Sequence, residues 1–256
     1  MTTSNTTHQL SSALILNLLK DKSAQILRQA QDERSIIIEY FSKEINKISY
    51  TIKENSTEKF IIHITSDVVI QNKELSFHVQ RNSSVLVELF IAHVDVSVSI
   101  TCIMEGESSN ADIRCVYIAK ETNNITVISK QHHVAAHATS NVVVKGVLYD
   151  GAHVHYAGMI RVEKNASVSV ALQENKNIVL TDNARAVSVP QLEVLTNDVR
   201  CFHASATGKF DKELLFYCAT RGIDDKHTQT MLLQGFFATA FISDGMKKSL
   251  EKYMYE

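Results

Sequence analysis

The chain has no tryptophan, one proline and only eight glycines in 256 residues. Tight hairpins depend on glycine, proline and Asn-Gly or Asp-Gly pairs, so a sandwich or barrel made of many hairpins does not fit. An excess of either charge is missing too. Lys+Arg number 26 against Asp+Glu 28, a formal net charge of -2. That balance gives no electrostatic reason to expect nucleic acid or an anionic membrane as partner.

Cysteine is sparse. Cys102, Cys115, Cys201 and Cys218 form no CxxC pair, which excludes a zinc ribbon or a disulfide framework and points to a reducing compartment. No apolar run approaches a membrane span. The opening MTTSNTTHQLSSALILNLLK lacks the basic start of a secretory signal, and Asn17 interrupts its apolar stretch. A cytoplasmic protein is the simplest expectation. P-loop, GxGxxG and GxSxG patterns are absent, so an independent nucleotide or acyl-transfer site has no support.

What is present falls into three regions. Residues 10–31 and 33–47 carry helix-type spacing, with Ser11 or Ser12 as a cap, and predict a helical region over 1–48. The β-branched run Ile36–Ile38 is the discordant element there. From Tyr50 to Val199 apolar residues alternate with period two and Val, Ile and Thr dominate, which is a strand signal.

Within that region small-or-polar/β-branched pairs recur, from Ser84-Val85 to Ser167-Val168. Their apolar members are 13, 15, 14, 15, 12 and 14 residues apart. Units so short leave no room for βαβ crossovers, and only Asp150-Gly151 would suit a hairpin turn. Stacked units of a parallel β-helix over 49–209 fit better, each coil made of one or two repeats and cornered by single Asn, Asp, Ser or Gly residues.

After Phe210 the pattern becomes helical. Asp211 caps KELLFYCAT, Gly222 suits its end, and Asp224 or Asp225 starts a second helix with Met231, Leu232, Phe236 and Phe237 on its buried side. A third helix, 245–255, carries Met246, Leu250 and Tyr253 at helical spacing. This unit, 210–256, is too small for a large core of its own. It is expected to pack on the end of the β-helix, bind a partner, or both.

Three constellations carry possible chemistry. Cys201-x-His203 places a thiol and an imidazole on one face of a strand, both able to bind zinc, iron or sulfur species. On pattern alone the pair reads as a buried cysteine beside a surface histidine, because two ligands do not make a site. His132, His133, His137, His153 and His155 form a histidine-rich segment with no carboxylate in a ligand motif, so solvated or stacked rings are the plainer reading. Asp182, Glu193, Asp198 and Asp211 are available as glycosidase carboxylates, but nothing fixes their spacing.

The C-terminal half resembles the SufB/SufD family of iron–sulfur cluster assembly proteins. The resemblance runs over roughly 140–240 and rests on ordered motifs. They are Tyr156-Ala-Gly-Met-Ile-Arg-Val162, Asn165-Ala166, Gln173-Glu-Asn-Lys-Asn-Ile-Val-Leu180, Pro190-Gln-Leu-Glu-Val194, and Asp198-Val-Arg-Cys-Phe-His203. Gly208, Leu215-Phe-Tyr217, Arg221-Gly-Ile223 and Gln234-Gly-Phe236 complete the set.

The resemblance implies a right-handed parallel β-helix with small helical N- and C-terminal parts. It implies a non-catalytic subunit that pairs through the β-helix with a SufB-like protein and docks a SufC-like ABC ATPase through 210–256. No nucleotide would bind this chain itself. The Asp-Val-x-Cys-x-His motif is SufD-like and makes His203, and secondarily Cys201, interface candidates for binding a transient iron–sulfur cluster. The stretch Glu174–Ile178 lacks the cysteine that SufB carries there, and Phe202 and Ala204 replace SufB's flanking glutamates. Both departures point to SufD. A self-pairing homodimeric scaffold is the alternative, and a carbohydrate-active β-helix protein the alternative from another class.

Overall fold

The computed structural model describes residues 35–38, 47–65, 72–240 and 243–254. Among the described residues, thirteen strands alternate between two sheets. Odd-numbered strands form a seven-stranded sheet in the order β1-β3-β5-β7-β9-β11-β13, and even-numbered strands form a six-stranded sheet, β12-β10-β8-β6-β4-β2. Every pairing is parallel. The molecule is therefore a parallel β-helix. One coil takes two of the sequence repeats, one strand on each sheet, which settles the repeat-to-coil ratio.

The strands run β1 Ser35–Ile38, β2 Lys47–Ile52, β3 Thr57–Thr65, β4 Lys73–Val79, β5 Ser84–Ala92, β6 Val96–Met104 and β7 Asn110–Ala119. They continue as β8 Asn124–His133, β9 Thr139–Leu148, β10 His153–Val162, β11 Ser169–Val179, β12 Arg185–Val194 and β13 Val199–Gly208. Register stacks like on like. Val87, Ile113 and Val142 align on the odd sheet, as do Val98 and Val127 on the even one. All five are buried at 1% exposure or less, so period-two alternation becomes an apolar column inside the coil.

The corners explain the scarcity of glycine. Left-handed backbone falls on Asn55, Asn82, Ser108, His137 and Val168 where the chain passes from the even to the odd sheet, and on His93, Glu121 and Asp150 where it returns. At the first set each residue donates its N–H to a carbonyl of the next coil: Asn55 to Arg81 at 3.0 Å, Asn82 to Glu107 at 3.0 Å, Ser108 to Ala136 at 3.2 Å, His137 to Ser167 at 2.9 Å and Val168 to Asp198 at 2.6 Å. Asn and Asp tolerate this conformation because their side chains bond locally, while a β-branched residue resists it. Val168 is thus a corner residue and not the strand position its repeat spacing predicts.

The expected N-terminal helices are corrected in one place. Ser35–Ile38 is a strand paired in parallel with Lys59–Ile62, because three consecutive β-branched isoleucines favour a pleated surface over a helix. The helix expected over 10–31 lies outside the described residues.

Three helices follow the last strand: α1 Lys212–Thr220, α2 Asp225–Ala238 and α3 Asp244–Met254. Asp211 and Asp224 cap the first two through side-chain acceptance from Glu213 N and His227 N. They do not cover the end of the β-helix. Leu233 and Phe237 of α2 and Met246 and Leu250 of α3 pack on the outer flank of the odd sheet, against Ile61, Phe90, Val116, Ile118 and Val147. Met231, expected on the buried side of α2, faces outward, and Leu233 takes its place.

Candidate functional site

Because the helices sit on the flank, no described residue covers the C-terminal end of the coil. β12 and β13 are edge strands, and no described strand pairs beyond either. Each therefore offers a row of main-chain donors and acceptors for a further strand. Register fixes which side chains line this end. Cys201 aligns with Ala171 and His203 with Gln173, both of which point into the coil. Cys201 and His203 thus face the coil axis in the last layer, where no described layer lies beyond them.

Their environments differ. Cys201 is half-buried against the small cluster of Ile160, Val162, Ala166 and Ala171, and burial pushes its thiol pKa up. His203 is exposed. The structure brings the two to one face of one strand, as their spacing predicts, and leaves the imidazole open while the thiol is held neutral. Among the described residues no group of three or more His, Cys, Asp and Glu side chains is placed to hold a metal ion. A metal or cluster bound here would need ligands from outside the described residues.

The other cysteines are remote from this chemistry. Cys102 and Cys115 point into the coil core and are fully buried, the Cys115 thiol pushed up to about 12 by desolvation. Cys218 is buried on α1.

The histidine-rich segment is dispersed by the fold. His132 faces outward and meets Glu163 at 2.9 Å, while its neighbour His133 points inward to Ser140 at 2.7 Å. His137 occupies a corner, and His153 and His155 lie on the exposed outer face of β10. The carboxylates are equally scattered. Asp182 pairs with Lys209, Glu193 meets Arg161 at 3.0 Å, Asp211 caps α1, and Asp198 sits at the last corner. No carboxylate pair of a glycosidase is assembled from them.

The open end carries a feature that residue-by-residue reading missed. Val187, Val189 and Leu192 on β12, Leu172 on β11 and Phe202 on β13 are exposed apolar side chains, Phe202 at 62%. A second group lies on the helices: Leu214, Phe216, Tyr217 and Met231, with Phe216 at 71%. Val187 and Val189 lie on the outer face of the even sheet and Leu172 and Phe202 on that of the odd sheet, so apolar surface accompanies the unpaired edge of each, as at association surfaces. The usable signal is the run of apolar residues in β12 and β13 with few charges among them.

Known proteins share this sequence pattern. A family model described as "SUF system FeS cluster assembly, SufBD core domain" matches residues 3–236. An iron–sulfur cluster assembly SufBD family protein of Mycobacterium leprae is 34% identical over 150 residues, covering 56% of this chain and 38% of its own length. A SufBD family protein of Mycobacterium tuberculosis is 35% identical over 140 residues, covering 52% and 35%. The iron–sulfur cluster assembly protein SufD of Escherichia coli is 22% identical over 209 residues, covering 75% and 49%. The chain matches less than half the length of each of these relatives.

Proposed function

Since the chain belongs to the SufBD core family of the SUF iron–sulfur cluster assembly system, we propose that it is a SufD-like, non-catalytic scaffold subunit of that system. It pairs with a SufB-like protein through the open end of its β-helix and docks a SufC-like ATPase through 210–256. The nascent cluster is the cargo, formed at the seam between subunits in the cytoplasm. In this reading the β-helix, whose described strands run from Ser35 to Gly208, is the pairing unit, and 210–256 is the docking unit.

One observation carries the proposal. His203 stands exposed on an unpaired edge strand, in the last coil, with no set of thiolates around it among the described residues. Iron–sulfur clusters are held mainly by cysteine thiolates, so a lone imidazole at an edge suits a contributor to a shared site and not a complete scaffold. Strand addition to β12 or β13 would use the free main-chain groups and bury the exposed Val187, Val189 and Phe202. The apolar face of α1 gives the ATPase a surface separate from the seam.

Co-expression with a SufB-like protein and a SufC-like ATPase tests this. Both are expected to co-purify with the chain. Phe216→Asp on α1 is expected to lose the ATPase and keep the SufB-like subunit, and Val189→Lys on β12 the reverse. Anaerobic reconstitution of the isolated protein separates the self-pairing alternative. A stable iron–sulfur chromophore on this chain alone would mean that two copies, each giving Cys201 and His203, suffice.

A further inference from the structure

The interior of the β-helix changes chemistry along its axis. Early coils are filled by residues such as Phe60, Leu75, Phe77 and Leu89, all 2% exposed or less. In the later coils polar residues join the apolar ones at inner positions: Ser129, Gln131, His133, Ser140, Gln173 and Asn175, all 2% exposed or less. A buried polar group without a partner costs about 1–3 kcal/mol, so the hydrogen bonds here must be accounted for one by one.

Gln131 Nε2 donates to Ser140 Oγ at 2.8 Å and to the carbonyl of Leu172 at 2.9 Å. Ser140 has one proton, and with Gln131 already donating to its oxygen it gives that proton to His133 Nε2, 2.7 Å away. His133 is then the tautomer protonated on Nδ1, and it is neutral because burial lowers its pKa to about 4. Four atoms are left without a protein partner among the described residues: Gln131 Oε1, His133 Nδ1, and both Nε2 and Oε1 of Gln173. They amount to two donors and two acceptors with no net charge.

A glycine makes the room that the Gln173 amide itself occupies. Gly158 lies where a Cβ would clash with the Gln173 amide and the Tyr156 hydroxyl, and that hydroxyl is itself held by Ser129 Oγ at 2.7 Å. The Leu172 carbonyl that Gln131 reaches belongs to the residue before Gln173, so the two amides are neighbours across the coil.

We propose that the interior of the later coils is a built hydration site, where Gln131, His133 and Gln173 bind ordered water beneath the open end. The chemical class follows from the donor set. Matched donors and acceptors without charge suit a small neutral molecule that both gives and takes hydrogen bonds better than an ion, which would find no opposite charge here. Register puts Gln173 one strand below His203, so the site ends under the exposed imidazole. The inference stands on the interior alone and holds whether or not the chain assembles clusters.

Oxygen-17 magnetic relaxation dispersion on the full chain counts long-lived internal waters. The wild type is expected to show them, and Gln131→Met/Gln173→Met, with apolar side chains of similar length, is expected to lose at least one. An unchanged amplitude in a folded double variant overturns the proposal. If the double variant does not fold, Gln173→Met alone is measured in its place, with the same expectation. A high-resolution crystal structure of the wild type decides independently: solvent density within hydrogen-bonding distance of Gln131 Oε1 and the Gln173 amide supports the site, and its absence there refutes it.

Discussion

Val168 holds a φ of 57°, a conformation that costs an L-residue roughly 1–2 kcal/mol and a β-branched one at least as much. Its side chain is half exposed, so little burial offsets that cost. Val168→Asn, matching the residue type at the Asn55 and Asn82 corners, is expected to raise stability by about 1 kcal/mol in urea melts. His133 gives a pH signature. Its folded pKa of about 4 lies below the ordinary 6.5, so between those values the unfolded chain binds a proton that the native state refuses. Stability is fully present above about pH 6.5 and is lost as the pH falls toward 4, by up to about 3 kcal/mol. His133→Asn should remove that share of the loss, read as the difference between wild-type and variant urea melts at neutral and acidic pH. The shared face of Cys201 and His203 is legible in their spacing. That one is sheltered and the other open is not, because it depends on where the stack of coils ends.

At the scale of elements, docking of the helices depends on charges placed by the odd sheet. Lys145 donates from β9 to the Phe236 carbonyl and to Thr239 Oγ1, both at 2.6 Å, at the C-terminus of α2. Glu88 on β5 accepts from Ser243 N at 2.9 Å, just ahead of α3. A cation at a helix C-terminus and an anion at an N-terminus each complement the helix dipole. Lys145→Met keeps the stem and removes the donor, leaving the end of α2 uncapped in a buried place. Its expected cost is about 1–3 kcal/mol, with faster amide exchange in α2 and α3 than in the coils beneath. That helices follow Phe210 is readable from spacing and from the Asp211 and Asp224 caps. Their place on the flank is not, because the receiving residues Ile61, Phe90, Val116, Ile118 and Val147 are outward positions of strands far apart in sequence. The spacing around Ile36–Ile38 misleads toward helix for a related reason: a four-residue strand is stabilised by its partner, β3, more than by its own pattern.

The whole molecule is a one-dimensional array whose two directions differ. Each coil touches mainly its neighbours, so local stability follows the quality of adjacent layers. Apolar filling in the early coils and a partly polar interior ending in unpaired β12 and β13 predict a gradient. Amide exchange should be slowest in β4–β7 and fastest in β12 and β13, and should slow at β12 and β13 when a partner strand is added. The fourteen-residue rhythm and the scarcity of turn residues make the β-helix legible in the sequence alone. The open end is hidden there, since it is a property of what fails to stack on the last coil. That end is where the functional account rests, and cluster content of the co-expressed complex tests it most directly. With SufB-like and SufC-like partners present, His203→Ala is expected to leave the complex assembled while cutting bound iron and acid-labile sulfide by about tenfold, equivalent to about 1.4 kcal/mol. An assembled His203→Ala complex with wild-type iron and sulfide would contradict the account.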